Sequence, residues 1–304
     1  MNKILLILIC CLFSQLLSSQ NISTVKDHLE KIGKGKSSTL SRSDLSAFTE
    51  TSDIVTLLTT YLDTSNEKVK KEAVRLMIVV GAQNASSYTR KSAVGNLMKN
   101  VDTENDSGNS QIVKGLQKFM LEDFDETAKR NVGKFVRAEY SPLEKWVELA
   151  GFLQLQPVLD EMKIKHQDNK QLRQKIGIAL TRCGDKAKVA NLLKNLQKIE
   201  VNDEFVYGVV PLLVYARQKE TTDFLFDIIL SDEKKCTPAG PDIEGNILCG
   251  YRVMEAIAPY VEGIPLEIGP SGDLVTNDYK SALTKTRKWI SDNRSEYQLI
   301  TDKF

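Results

Sequence analysis

The amino-acid sequence predicts an all-α protein assembled from about six consecutive helix pairs. Three observations carry that expectation. Apolar residues recur at spacings of three and four along almost the whole chain, which places them on one face of successive helices. Aromatic residues make up only 7% of the sequence, which suits helix-on-helix packing better than a β core. The sustained apolar–polar alternation of a half-buried strand is not found in any stretch.

Residues 1–20 have the layout of a secretory signal peptide. Lys3 is followed by an apolar run from Ile4 to Leu17 and then by Ser18, Ser19 and Gln20. The run is shorter than the roughly 20 apolar residues a membrane-spanning helix needs. Cys10 and Cys11 raise the alternative of a lipid anchor, which wants a small residue before the cysteine. Ile9 precedes Cys10 and the apolar run continues past both, so a signal cleaved near Ser19 or Gln20 is the preferred reading. Removing Lys3 with the signal leaves 40 basic against 40 acidic residues. That balance gives no bias toward nucleic acid or an anionic membrane. No second apolar stretch reaches membrane length, and the expected location is secreted or periplasmic.

The clearest helix pair is 168–196. Asp168 or Asn169 can cap a helix whose stripe is Leu172, Ile176, Ala179, Leu180 and Cys183. Gly184 suits the left-handed stop, and Val189, Leu192, Leu193 and Leu196 form the next stripe. The same plan predicts first helices near 53–63, 86–100, 125–139, 156–164, 186–198 and 220–230. Second helices are expected near 67–82, 110–121, 142–153, 169–183, 203–217 and 246–260. The starts of the second helices lie 27 to 43 residues apart, with polar insertions at 102–109 and 231–245.

Segments 67–82 and 170–196 resemble HEAT repeats. Val74-Arg75, Leu172-Arg173, Ala179-Leu180 and Gly184-Asp185 match the aliphatic–basic pair, the alanine–leucine pair and the glycine ending of that armadillo-like family. The resemblance is good for those two units, moderate for 126–162 and 203–230, and poor for 21–50 and beyond 262. It implies a right-handed α-α superhelix, a HEAT-like solenoid with polar caps at its ends. The implied organisation is a signal peptide at 1–20, an N-terminal cap segment at 21–50, repeats at 51–262, and a C-terminal loop and capping helix at 263–304. Trp289 in that last helix is expected in the core. An ordinary helical bundle is the alternative.

In such folds the second helices line a concave face. The six expected second helices carry 13 Lys or Arg against 7 Asp or Glu. Lys71, Arg75, Lys118, Arg173, Arg182, Arg217 and Arg252, with Tyr207 and Tyr251, are therefore the candidate binding residues. A basic groove would favour a protein segment or an anionic glycan; a solvated charged face is the competing reading. Cys236 and Cys249 bracket a loop whose Pro238, Gly240, Pro241 and Gly245 forbid regular helix, and an oxidising compartment favours their pairing. That loop either binds or only caps. Cys183 fits a small core residue.

No cofactor is expected, and no catalytic or metal residue is named. His28 and His166 lie far apart and lack ligand spacing. The His–Glu pair of iron-dependent HEAT-repeat hydroxylases is missing. The run 33–38 (GKGKSS) fails as a phosphate loop, because position 30 is Glu where Gly is required. The acidic stretch at Asp102–Gly108 fails as a calcium loop, because Val113 replaces the bidentate acid. A non-catalytic binding scaffold is the leading expectation. An exported enzyme with scattered catalytic residues, or a structural subunit of an envelope or extracellular assembly, is the alternative.

Overall fold

Side-chain caps and apolar stripes divide the chain into helices close to those the periodicity predicts. A computed structural model describes residues 19–49, 52–102, 105–238, 245–269 and 273–304, apart from the Arg42 side chain. The expected signal peptide falls largely on 1–18, outside the described residues. The chain divides into two compact units, Met1–Leu149 with Lys303–Phe304, and Ala150–Asp302.

The first unit begins with helix α1 (residues 19–33). It continues through α2 (Arg42–Phe48), α3 (Ser52–Leu62), α4 (Glu67–Gln83), α5 (Ser87–Lys99), α6 (Asp106–Leu116), α7 (Glu126–Arg137) and most of α8 (Leu143–Phe152). Ser41, Asn66, Ser86, Asn105 and Asp125 each accept a backbone N–H of the helix they start, which satisfies donors that have no intrahelical partner. The Asn105 cap starts α6 four residues before the expected position 110. The segment 21–50 is helical over most of its length, with Val25, Leu29 and Phe48 buried. Helix α4 packs on α2, α3, α5 and α6, and α3 and α7 both pack on α5. Gly81 permits the α4–α5 approach, because a Cβ there would lie 2.6 Å from the Ala93 Cβ. Arg90 is buried against Asp123 at 2.8 Å, and its Nη1 donates to the Asn84 and Ala85 carbonyls.

The second unit contains α9 (Gln156–Lys165), α10 (Lys170–Arg182), α11 (Lys186–Leu196), α12 (Asp203–Gly208), α13 (Val210–Ala216), α14 (Lys219–Leu230), α15 (Gly250–Ile257) and α16 (Tyr279–Asn293). Helices α11 and α16 both pack on α14, while α10 and α15 both pack on α13. Alternate helices thus contact one another as well as their chain neighbours. Phe205, Leu213, Phe226, Val253, Met254 and Ile290 form the middle of the core. Trp289 is half-buried against it, edge-on to Phe226 at 6.4 Å between centroids.

Two departures from the expected helices have local causes. The helix expected at 203–217 is two helices, because Pro211 lies in the first turn of α13 and lacks the N–H that a continuous helix would use. The helix expected at 246–260 starts late, because Ile247–Leu248 forms strand β2 against β1 (Lys234–Cys236). That hairpin corrects the expectation of a strand-free chain. Its strands are two and three residues long, too short to register as alternation.

Candidate functional site

The sequence-predicted residues separate by burial. Tyr207, Tyr251 and Arg252 gather at the base of the hairpin. Cys236 and Cys249 are disulfide-bonded, with Cα atoms 5.1 Å apart. Asp203, at the start of α12, accepts from the Thr237 N–H at 2.9 Å, from the Thr237 hydroxyl and from Arg252 Nη1. Arg252 also donates to the Thr237 carbonyl and lies 5.0 Å from the centre of the exposed Tyr207 ring. The Thr237 hydroxyl and N–H, then Arg252, hold the Asp203 carboxyl below its ordinary value against a small opposing effect of burial. Tyr251 is half-buried and edge-on to Tyr279. These groups latch the stapled hairpin to α12 and α15. The loop tip, 239–244, lies outside the described residues, so binding and capping roles for it both stay open.

Arg182 and Arg217 do not lie on an open face, which corrects their place among the binding candidates. They are 3% and 6% exposed. Arg182 donates to the Tyr215 and Thr301 carbonyls at 2.7 and 2.9 Å. Arg217 takes a left-handed backbone (φ 49°) that ends α13. It donates to the Ile300 and Val214 carbonyls and stacks on Tyr260, 3.4 Å from the ring centre. Burial lowers both guanidinium groups to about 10, with the Arg182 charge adding to the effect on Arg217. Both are cationic at neutral pH. Beside them the Cys183 Sγ faces the Gly151 carbonyl at 3.6 Å, and burial pushes its thiol up to about 12.

Arg173 lines an open groove of about 590 Å³ in the second unit. One wall is a stripe of α10 running from Lys170 through Arg173, Gln174 and Ile178 to Thr181. The facing wall is the α11 stripe from Lys188 through Asn191, Leu192 and Asn195 to Leu196, with Ile199 in the turn beyond the helix. Val209 and Leu212 close one side. The two stripes repeat at three and four residues, so each is a continuous helical face. Leu192 is half-buried where the stripe meets the core, and Ile199 is exposed. Lys170, Arg173 and Lys188 supply the rim, and the lining contains no Asp or Glu. Chemically the groove can seat apolar side chains while its rim attracts anionic groups.

In the first unit Lys71 and Lys118 are exposed. Lys71 lines a smaller cleft of about 190 Å³ with Lys68 and Lys70. Arg75 is committed internally, donating to Glu72 through Nε and Nη2 at 2.8 and 2.6 Å. Glu72 in turn meets His28 Nε2 at 2.8 Å, and His28 Nδ1 meets the Ser38 hydroxyl at 2.9 Å. Burial raises the Glu72 carboxyl, but hydrogen bonds from Arg75 and His28 outweigh it and hold the group below its ordinary value. Glu72 can accept from the His28 Nε2–H, and in the neutral imidazole that arrangement leaves Nδ1 to accept from Ser38. His28 is only 4% exposed. This Ser38–His28–Glu72 array was not singled out in the sequence. Its members are 10 and 44 residues apart and no local motif marks them.

Among the described residues, no group of three or more His, Cys, Asp or Glu side chains is placed to hold a metal ion. No described helix is long and apolar enough to cross a membrane. No protein-family model matches the chain, and neither a curated protein nor a solved structure shows a significant match to it.

Proposed function

We propose that the chain is an exported, non-catalytic scaffold that holds a partner, a protein segment or a glycan, in the α10–α11–α13 groove. The observation that carries this reading is the groove itself: an aliphatic floor, partly open to solvent, under a rim of Lys170, Arg173 and Lys188 with no acid. Apolar surface collected in a groove and ringed by polar groups is what an interaction site requires. The packing of alternate helices supports reading the helix pairs as HEAT-like repeats of a right-handed α-α superhelix, the architecture whose extended faces serve binding. The formed Cys236–Cys249 disulfide supports export to an oxidising compartment, secreted or periplasmic. The test is a photo-crosslinking amino acid placed at Gln174 or Asn191 in the protein expressed in its native milieu. A discrete adduct from these sites, and none from the exposed control position Lys288, is expected. Equal or no crosslinking from all three positions overturns the proposal.

A second reading, an exported hydrolytic enzyme, is favoured by one observation. In the Ser38–His28–Glu72 array a hydroxyl, an imidazole and a carboxylate are connected in the order that activates a serine nucleophile. Labelling by a fluorophosphonate probe that is lost in Ser38→Ala would favour it, and absence of labelling removes it. The tie among α1, the following loop and α4 is the role the scaffold reading gives to the same three residues.

A further inference from the structure

We infer that the occupant of the α10–α11–α13 groove is an acid-rich amphipathic helix of a protein. This rests on the binding reading above and chooses between its two partner classes.

Charge supplies the first argument. Residues 170–198 contain eight Lys or Arg and the single acid Asp185, in a chain whose net charge is +1. Arg182 is buried, which leaves seven of those cations to the surface of one helical hairpin. A concentration of one sign in an otherwise balanced chain draws in groups of the opposite sign, and the groove rim has no carboxylate to compete with them.

The floor decides between a protein and a sugar. It consists of Ile178, Leu192, Leu196, Ile199, Val209 and Leu212, without an aromatic ring. A neutral carbohydrate is held by stacking its C–H faces on aromatic rings, and no ring lines this groove. An anionic glycan pairs with the rim cations but leaves the aliphatic floor unmatched. Aliphatic walls instead match Leu, Ile, Val or Met side chains.

Dimensions point to a helix. The α10 stripe runs from Lys170 to Thr181, about 16 Å at 1.5 Å per residue, or three helical turns. The α11 stripe covers about 12 Å from Lys188 to Leu196, and Ile199 in the turn after the helix extends that wall. Anchors at i, i+3 or i+4, and i+7 of a partner helix cover that length. The exposed amides of Gln174, Asn191 and Asn195 tolerate the polar residues between anchors, and Asn195 donates to Asn191 at 2.9 Å.

Fluorescence anisotropy with three labelled probes tests the inference on the intact exported chain. They are a helical peptide of about four turns with Leu at the anchor spacing and Glu beside it, a scramble of the same composition, and a heparin-derived hexasaccharide. The helical peptide is expected to bind at least about tenfold more tightly than the other two, and to weaken as salt screens the rim. Arg173→Glu and Ile199→Asp, at exposed positions where folding is checked by circular dichroism, should each weaken it about tenfold. Equal binding of peptide and scramble overturns the inference, as does tighter binding of the hexasaccharide. So does an Ile199→Asp variant that binds normally, or no peptide binding up to about millimolar concentration. If the peptide fails while groove crosslinking succeeds, the groove stands as a binding site and only the helix assignment falls.

Discussion

Arg252 and Asp203, 49 residues apart in the chain, are joined by an ion pair at the base of the disulfide-closed hairpin, and Thr237 is hydrogen-bonded to both. The disulfide holds the strands to each other, and this triad holds the hairpin to α12 and α15. The two devices act on different states. The crosslink restricts the unfolded chain, whereas the triad exists only when folded.

Cys236→Ser with Cys249→Ser should therefore lower stability by about 3 kcal/mol, the loop-closure value for so short a loop. The checks are denaturant unfolding of the variant, and a matching loss in the native protein on reduction. Asp203→Asn should leave the disulfide intact and instead increase proteolysis within 236–249, followed by mass spectrometry.

Glu72 predicts a pH dependence. Its carboxyl sits below the ordinary value when folded. Its contribution is fully present above the unfolded value near 4 and is lost as pH falls through the folded value. Thermal melts between about pH 3 and pH 7 should show a shallower acid-side decline for Glu72→Gln than for the native protein. The variant should also be less stable at neutral pH.

Asp123 is the buried partner of Arg90. Asp123→Ala leaves that guanidinium without its buried counter-ion, and a loss of about 3–5 kcal/mol is expected in urea unfolding. A conservative Glu122→Gln, at the exposed acid that also meets Arg90, should cost less than about 1 kcal/mol.

Gly81→Ala should destabilise by about 1–3 kcal/mol, because the added methyl would meet Ala93 at 2.6 Å where α4 and α5 cross. Ala93→Gly in the same background should recover part of that loss, a coupling that a double-mutant cycle measures.

The Cys183 thiol, pushed up to about 12, should react with iodoacetamide at pH 8 at least about a thousandfold more slowly than an unfolded cysteine near 8.5. Rapid alkylation of the native protein would contradict its burial.

Local periodicity reveals a helix face, and that is why most helix boundaries were legible within a few residues. Asn169, Gly184 and the stripe from Leu172 to Cys183 are signals contained in one short window. Local signals cannot show whether a face is covered. Leu192 and Leu193 belong to one stripe and both pack on the core, yet Leu192 also lines the groove, and Arg182 and Arg217 read as surface cations although both are buried. Burying those arginines depends on carbonyl groups at Ile300 and Thr301, 83 and 119 residues along the chain. The basic character of 170–198 was visible in the composition, but its assembly into a groove required the position of α13. His28, Ser38 and Glu72 met only through tertiary packing, beyond the reach of any spacing rule.

The carbonyls that hold Arg182 and Arg217 also set an order of assembly in time. During synthesis, α10 and α13 emerge long before Ile300 and Thr301 exist to accept from them. Until those residues arrive, two cations must remain hydrated, and the helices that carry them cannot close fully on one another. The second unit therefore completes the burial of both guanidinium groups only once its last residues have packed.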